Sequence, residues 1–184
     1  MPRYTTVKSY EVAQFAFLKD DIITRIAKAG IAFPCIVKPQ AEGSSLGVFK
    51  VHTADDLQSA CERAAGVSNH NLQHVLIEEC LTGMEFTCII LTDYKTGKPI
   101  YLPPTEIVIE KGSDVFDYEQ KYMPGRAQKF TPARCSDELI KRIQQTCDTA
   151  MRALQITNMS RIDGFVTPDQ DIVIIDPNSL SGMG

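Results

Sequence analysis

The sequence predicts an α+β fold built from antiparallel strand pairs with amphipathic helices laid against them. Three observations predict it. Two apolar runs, Ile162 to Val166 and Ile172 to Ile175, flank the turn-forming Thr167-Pro168-Asp169-Gln170 and read as a hairpin. A strand-loop-strand stretch runs from Pro34 to Val51, and apolar residues recur at helical spacing near both ends of the chain. With 184 residues, 43% hydrophobic and 23% charged, the chain can bury a core as one domain or two small lobes.

Taken in order, Ser9 is placed to cap a helix whose apolar stripe is Val12, Phe15, Leu18, Ile22, Ile26 and Ala29, stopped by Gly30. Pro34 to Pro39 reads as a buried strand and Gly47 to Val51 as a second, with the loop Gln40-Ala41-Glu42-Gly43-Ser44-Ser45-Leu46 between them. Thr53 and Asp56 form a capping-box pattern ahead of Leu57, Ala60, Cys61 and Ala64. Strands follow at Val75 to Glu78, Glu85 to Leu91 and Ile100 to Leu102, the last two joined by a turn at Lys95 to Lys98. Residues 108 to 134 mix glycine, proline, charge and aromatics and predict a long loop of the kind that closes over a site. Ser136 caps a final helix with Leu139, Ile143, Cys147, Ala150 and Leu154 on one stripe.

A formal net charge of -4 argues against a nucleic-acid surface, because no basic stripe is present to displace phosphate counterions. The six cysteines, at 35, 61, 80, 88, 135 and 147, contain no Cys-x-x-Cys pair and read as reduced core residues of a cytoplasmic protein. The histidines at 52, 70 and 74 lack metal-ligand spacing. No apolar run reaches membrane-spanning length, and no signal-peptide pattern opens the sequence. A small-molecule ligand is the better expectation.

The chemistry concentrates in the last hairpin. Arg161-Ile162-Asp163-Gly164-Phe165 precedes the turn and Ile174-Ile175-Asp176-Pro177-Asn178 follows it. Residues two apart on a strand share a face, so Asp176 and Asn178 point together and Asp163 can join them from the partner strand. Two carboxylates and an amide suit a hard cation, and the arginine beside them suits a phosphate. A common Asp-Pro-Asn turn accounts for the same letters. The Gly-Ser-Ser loop can cradle a phosphate through backbone amides and hydroxyls, with Lys38 aimed at the same space; a plain hairpin turn explains it equally well. It is not a P-loop, since no Gly-Lys-Ser/Thr follows. Glu78 to Glu85 makes a crossing whose backbone can read an adenine edge, or an acidic turn.

These blocks resemble the D-Ala-D-Ala ligases when taken in order. The resemblance is carried by Pro34 to Pro39 with Glu42 to Val48, Glu78 to Glu85, Pro103-Pro104-Thr105-Glu106-Ile107, Asp117 to Tyr122, Arg161 to Phe165 and Asp176 to Met183. It implies an ATP-grasp fold, with lobes at about 1–85 and 86–184 clasping ATP between antiparallel sheets. It also implies the roles. Lys38 would contact the nucleotide phosphates, with Ser44 and Ser45 in the loop closing on them. Glu78 and the Leu81 backbone would read adenine, and Glu85 the ribose. Lys121 would reach the transferred phosphate and Tyr122 would close against Ser44. Asp163, Asp176 and Asn178 would hold two magnesium ions, or manganese in their place, while Arg161 and the Gly182 amide would stabilise an oxyanion.

The implied reaction is phosphorylation of one D-alanine by ATP and attack of a second D-alanine on the acyl phosphate, a cytoplasmic step of peptidoglycan supply for the cell wall. The resemblance further implies a homodimer in the full-length protein, while the charge and the lack of a long apolar run make neither nucleic acid nor membrane the expected partner.

Four departures bear on activity. The chain starts where the family's middle domain starts, Asp176 stands in place of glutamate, Ser181 replaces a proline, and the chain ends at Gly184 before a closing segment. Aspartate is one carbon shorter, about 1.5 Å of reach, against a magnesium that accepts ligands only near ~2.0–2.1 Å. These departures lead us to expect a piece of a larger ligase, inactive alone. Two alternatives stand beside it: a degenerate ATP-grasp module that binds nucleotide without ligating, and a ligase for another amino or hydroxy acid.

Overall fold

The computed structural model describes residues 1–43, 45–67, 72–109 and 127–179. These residues form two compact units, one containing Pro2–Cys80 and the other Leu81–Val108 and Gln128 onward.

In the first unit, short β-branched and aliphatic runs pair as a four-stranded antiparallel sheet in the order β1-β4-β2-β3. The strands are β1 (Tyr4–Val7), β2 (Cys35–Pro39), β3 (Phe49–Val51) and β4 (Val75–Glu79). Burial alternates along β2, with Cys35, Val37 and Pro39 buried and Ile36 and Lys38 half-buried, so Lys38 lies on the face turned away from the core. Helices α1 (Ser9–Ala13), α2 (Phe15–Lys28) and α3 (Leu57–Ala65) contribute Val12, Phe15, Ile22, Ile26, Leu57 and Cys61 to a core shared with Val37, Val75 and Ile77. Burial pushes the Cys35 thiol up to about 11 and the Cys61 thiol up to about 12.

The first helix departs from its expected course. Lys8 rather than Ser9 is the capping residue, because the Glu11 carboxylate reaches back to accept the Lys8 backbone N–H at 2.7 Å. The helix then breaks at Gln14 (φ -114°, ψ 20°), with Val12 and Phe15 buried on either side of the break. At α3 the Thr53 hydroxyl bonds the Asp56 carboxylate at 2.7 Å instead of a helical amide, and the helix starts at Leu57.

The second unit carries a six-stranded sheet, ordered β10-β9-β5-β7-β8 with β6 also paired to β5. Its strands are β5 (Met84–Thr92), β6 (Pro99–Tyr101), β7 (Thr105–Ile109), β8 (Ala127–Phe130), β9 (Met159–Val166) and β10 (Ile172–Asn178). Helix α4 (Asp137–Ala153) covers one face, packing Leu139, Ile143, Cys147 and Met151 against Phe86, Cys88, Ile90, Ile162 and Val166. The Ser136 hydroxyl accepts the Leu139 N–H at 3.2 Å and caps this helix as expected. Leu154, expected on the apolar stripe, lies past the helix end and is exposed, and Met151 fills that role.

Strands β1, β7 and β8 were not legible in advance, and the last two lie at the margins of the expected 108–134 loop. Residues 110–126 of that loop lie outside the described residues. The chain beyond β8 is tied to β7 by a two-pronged pair, Arg134 Nε to Glu106 Oε2 at 2.9 Å and Nη2 to Oε1 at 2.8 Å. The Arg134 guanidinium also stacks 3.7 Å from the Phe130 ring centroid.

Candidate functional site

The hairpin β9–β10 assembles four of the expected side chains by register alone. Asp163 lies opposite Asp176, and Arg161 lies opposite Asn178. Residues opposed across an antiparallel pair project to the same side, with Cβ atoms about 4.5–5.5 Å apart. Arg161 Nη2 donates to Asp163 Oδ2 at 3.2 Å, and the pair is largely shielded from solvent.

A bulge makes this possible. Ile172 pairs with Val166 and Ile174 with Gly164, but the register shifts by one residue before Asp176 meets Asp163. Val166 and Gly164 belong to the buried set of β9, so Ile172 and Ile174 face α4 and pack against its core. Unbroken alternation would have sent Asp176 to that same apolar side. The extra residue, Ile175, flips the parity and delivers Asp176 and Asn178 to the face turned away from α4.

Gly164 of the Arg-Ile-Asp-Gly-Phe motif has a packing reason. A Cβ there would lie 2.7 Å from Phe86 Cζ and 2.7 Å from the Val173 carbonyl oxygen. Two further bonds brace the hairpin end: Ser160 Oγ donates to the Asn178 carbonyl at 3.0 Å, and Asn178 Nδ2 donates to the Asp176 carbonyl at 3.3 Å. The second bond occupies the Asn178 amide nitrogen and leaves its oxygen pointing away from that carbonyl.

Strand β5 extends the same face. Thr87 lies opposite Asp163, while Glu85 lies opposite Phe165 on one side and Ile107 on the other. The Thr87 hydroxyl is buried and has no hydrogen-bond partner among the described residues. Sequence reasoning passed over Thr87; the two-residue spacing from Glu85 was the available signal.

In the first unit, Lys38 Nζ pairs with Glu78 Oε2 at 2.8 Å across β2 and β4, both side chains largely buried. Leu81 follows β4 and is half-buried, and Ser45 stands in the β2–β3 loop at φ 58°. Ser44, Lys121, Tyr122 and Gly182 lie outside the described residues, as does His70. His74 is engaged structurally, its Nδ1 accepting the Ser9 N–H at 3.0 Å.

No group of three or more His, Cys, Asp or Glu side chains gathers in metal-binding geometry among the described residues. The donor set at the hairpin is two carboxylates and an amide oxygen, all hard oxygen donors of the kind divalent magnesium takes.

Two α+β units with antiparallel sheets, one bearing this acid-amide-arginine face, define an ATP-grasp protein. Solved structures agree. The D-Ala:D-Ser ligase of Enterococcus faecalis superposes with a TM-score of 0.75 at 31% identity, covering 97% of this chain and 47% of that one. A D-alanine--D-alanine ligase of Bacillus anthracis gives 0.72 at 28% identity, covering 100% and 53%. Residues 3–184 match the family described as "D-ala D-ala ligase C-terminus", and the chain belongs to that family. Among curated relatives, the D-alanine--D-alanine ligase of Leptospira interrogans is 35% identical over 178 residues, 95% of this chain and 48% of the relative. That of Flavobacterium johnsoniae is 36% identical over 164 residues, 89% and 48%. The chain thus spans about half the length of the curated relatives it matches. Among the described residues, no helix is long and apolar enough to cross a membrane.

Proposed function

We propose that this chain is the ATP-handling portion of a cytoplasmic, magnesium-dependent D-alanine-D-alanine ligase, joining two D-alanines through an acyl phosphate in peptidoglycan supply. The observation that carries the proposal is the cross-strand pairing of Asp163 with Asp176 and of Arg161 with Asn178 on the sheet face turned away from α4. Asp163, Asp176 and Asn178 are the residues that would hold magnesium, which when bound neutralises phosphate oxygens. Arg161, paired with Asp163, is the guanidinium that would donate to an oxyanion. Lys38 and Glu78, held together on the outer face of their sheet, supply a cation for phosphate and a carboxylate for the base amine, and Glu85 a carboxylate for ribose hydroxyls. Ser44, Ser45 and the backbone of Leu81 serve the nucleotide, Lys121 and Tyr122 the closing segment, and the Gly182 amide the oxyanion. Phosphoryl transfer of this kind needs positioning and charge neutralisation rather than a covalent nucleophile.

The test is phosphate release with D-alanine and Mg-ATP by the protein expressed from its whole open reading frame. Asp163→Asn is expected to lower the rate by at least about a hundredfold. Unchanged turnover would reject the assignment. Residues 1–184 alone are expected to show no dipeptide synthesis. A second reading, a nucleotide-binding module without ligase activity, is favoured by the short reach of Asp176. Asp176→Glu separates them: a large gain in magnesium affinity supports lost catalysis, and no gain supports a working aspartate site. Replacing the second D-alanine by D-serine or D-lactate in the same assay identifies the acceptor.

A further inference from the structure

The β2–β3 loop leaves the sheet at Pro39 and returns at Phe49, and its two arms are anchored by different devices. On the returning arm, Gly47 adopts φ +73°, and a Cβ there would come within 2.4 Å of Val67 Cγ2 and 3.3 Å of the Pro39 ring. This arm is therefore packed against the strand end. The departing arm has no such packing, since Gln40, Ala41, Glu42 and Gly43 are all exposed.

Among the described residues, one side chain holds the departing arm. Gln73 Oε1 accepts the Ala41 backbone N–H at 2.9 Å, and Gln73 Nε2 donates to Glu42 Oε1 at 3.1 Å. Gln73 is itself fixed from below, because its backbone N–H donates to the Ala65 carbonyl at the end of α3 at 3.2 Å. One residue on, the His74 carbonyl accepts the Gln40 N–H at 2.9 Å and continues the β2–β4 ladder past Pro39. A glutamine satisfies this site because its amide offers one acceptor and one donor in a fixed plane. Glutamate or methionine cannot do both.

We infer that Gln73 is a positioning residue for nucleotide binding, which sets the departing arm of the β2–β3 loop so that the amides beyond Ala41, at Glu42 and Gly43, can meet phosphate. The inference rests on the proposal above that this loop serves the nucleotide. Gln73 itself touches no substrate; it acts through Ala41 and Glu42. Losing two hydrogen bonds, one of them to a carboxylate, leaves the arm free to sample other positions, and binding must then pay to order it.

The experiment uses the protein from its whole open reading frame and compares wild type, Gln73→Met, Gln73→Glu and the exchanged pair Glu42→Gln with Gln73→Glu. Amide hydrogen exchange of residues 40–43 reads the loop, and equilibrium binding of Mg-ATP with the KM values for ATP and D-alanine reads function. Gln73→Met is expected to speed exchange at Ala41 and weaken ATP binding about tenfold, with the D-alanine KM and the thermal midpoint unchanged. Gln73→Glu, which sets two carboxylates together, is expected to behave at least as badly. The exchanged pair restores both bonds and is expected to recover ATP affinity. Faster exchange with unaltered ATP affinity in a protein that binds ATP would overturn the inference and leave the proposed function standing. A wild type that binds no ATP would remove the proposed function, and the inference with it. Should Gln73→Met not fold, the Gln73→Glu variant and its recovery by Glu42→Gln decide the matter alone.

Discussion

Replacing Gly164 by alanine tests the packing that sits directly behind the candidate site. The new methyl carbon would lie 2.7 Å from Phe86 Cζ, 3.1 Å from Phe86 Cε1 and 2.7 Å from the Val173 oxygen. Ordinary carbon contacts begin near ~3.5 Å, so the ring must retreat by most of an ångström. Phe86 is fully buried and packed in the core beneath α4, so it has nowhere to swing. The Val173 oxygen is backbone of β10, and moving it pulls on the hairpin that carries Asp176. Overpacking of a tight core costs about 1–3 kcal/mol, and two simultaneous clashes without a flexible partner place this substitution at about 2–3 kcal/mol. The corresponding loss in thermal midpoint is roughly 5–10 °C for a chain of this size. Urea denaturation monitored by circular dichroism measures it. Phe86→Leu in the same background removes the ring contact but leaves the carbonyl contact, so the double variant is expected to recover part of the loss relative to the sum of the single changes. A change below about 0.5 kcal/mol for Gly164→Ala, or strict additivity with Phe86→Leu, would refute the packing explanation for the motif glycine.

Three other outcomes follow from the geometry. Ser136→Ala removes the side-chain acceptor for the Leu139 N–H and is expected to cost about 1 kcal/mol of unfolding free energy. The Arg134 guanidinium and backbone N–H hold the Glu106 carboxyl below its ordinary value, so the pair stabilises the fold above the unfolded-state carboxylate range and loses that contribution as pH falls through the lowered folded value. Glu106→Gln is accordingly expected to flatten the acid limb of a stability-versus-pH profile, and an unchanged limb would count against the pair. Cys35, Cys61, Cys88 and Cys147 are buried, with the Cys35, Cys61 and Cys147 thiols raised mainly by burial or, for Cys147, by its bond to Cys88. All four are expected to resist thiol reagents at neutral pH until the protein unfolds, which mass spectrometry after timed alkylation can check.

Strand alternation and turn chemistry made most elements legible from the letters. The final hairpin, the β2–β3 pair and the last helix follow from local patterns that tertiary packing reinforces. Strand β1 was hidden because Tyr-Thr-Thr-Val is short and half polar, and gains its strand form only by pairing with β4. Strand β7 follows two prolines and alternates Thr105, Glu106 and Ile107, a pattern that reads as loop until Arg134 arrives to neutralise Glu106. The grouping of Asp163, Asp176 and Asn178 was anticipated from alternation, yet alternation alone places Asp176 with Ile172 and Ile174. The bulge that corrects the parity has no signature in Ile-Val-Ile-Ile, since a fourth apolar residue is as compatible with a straight strand. Gln73 is hidden for another reason: its role arises from partners about 30 positions distant, which no local window contains, whereas Thr87 shows only as the residue two places from Glu85.

The bulge has one more consequence, for how this molecule meets its own kind. Strand β10 borders its sheet among the described residues, and such a border invites a neighbouring chain to add a strand. The displaced Ile175 breaks the repeat of outward-pointing amides, and Pro177 contributes no N–H at all. An incoming segment would find the ladder out of step at Ile175, so the stretch that turns Asp176 outward is also a poor template for an added strand.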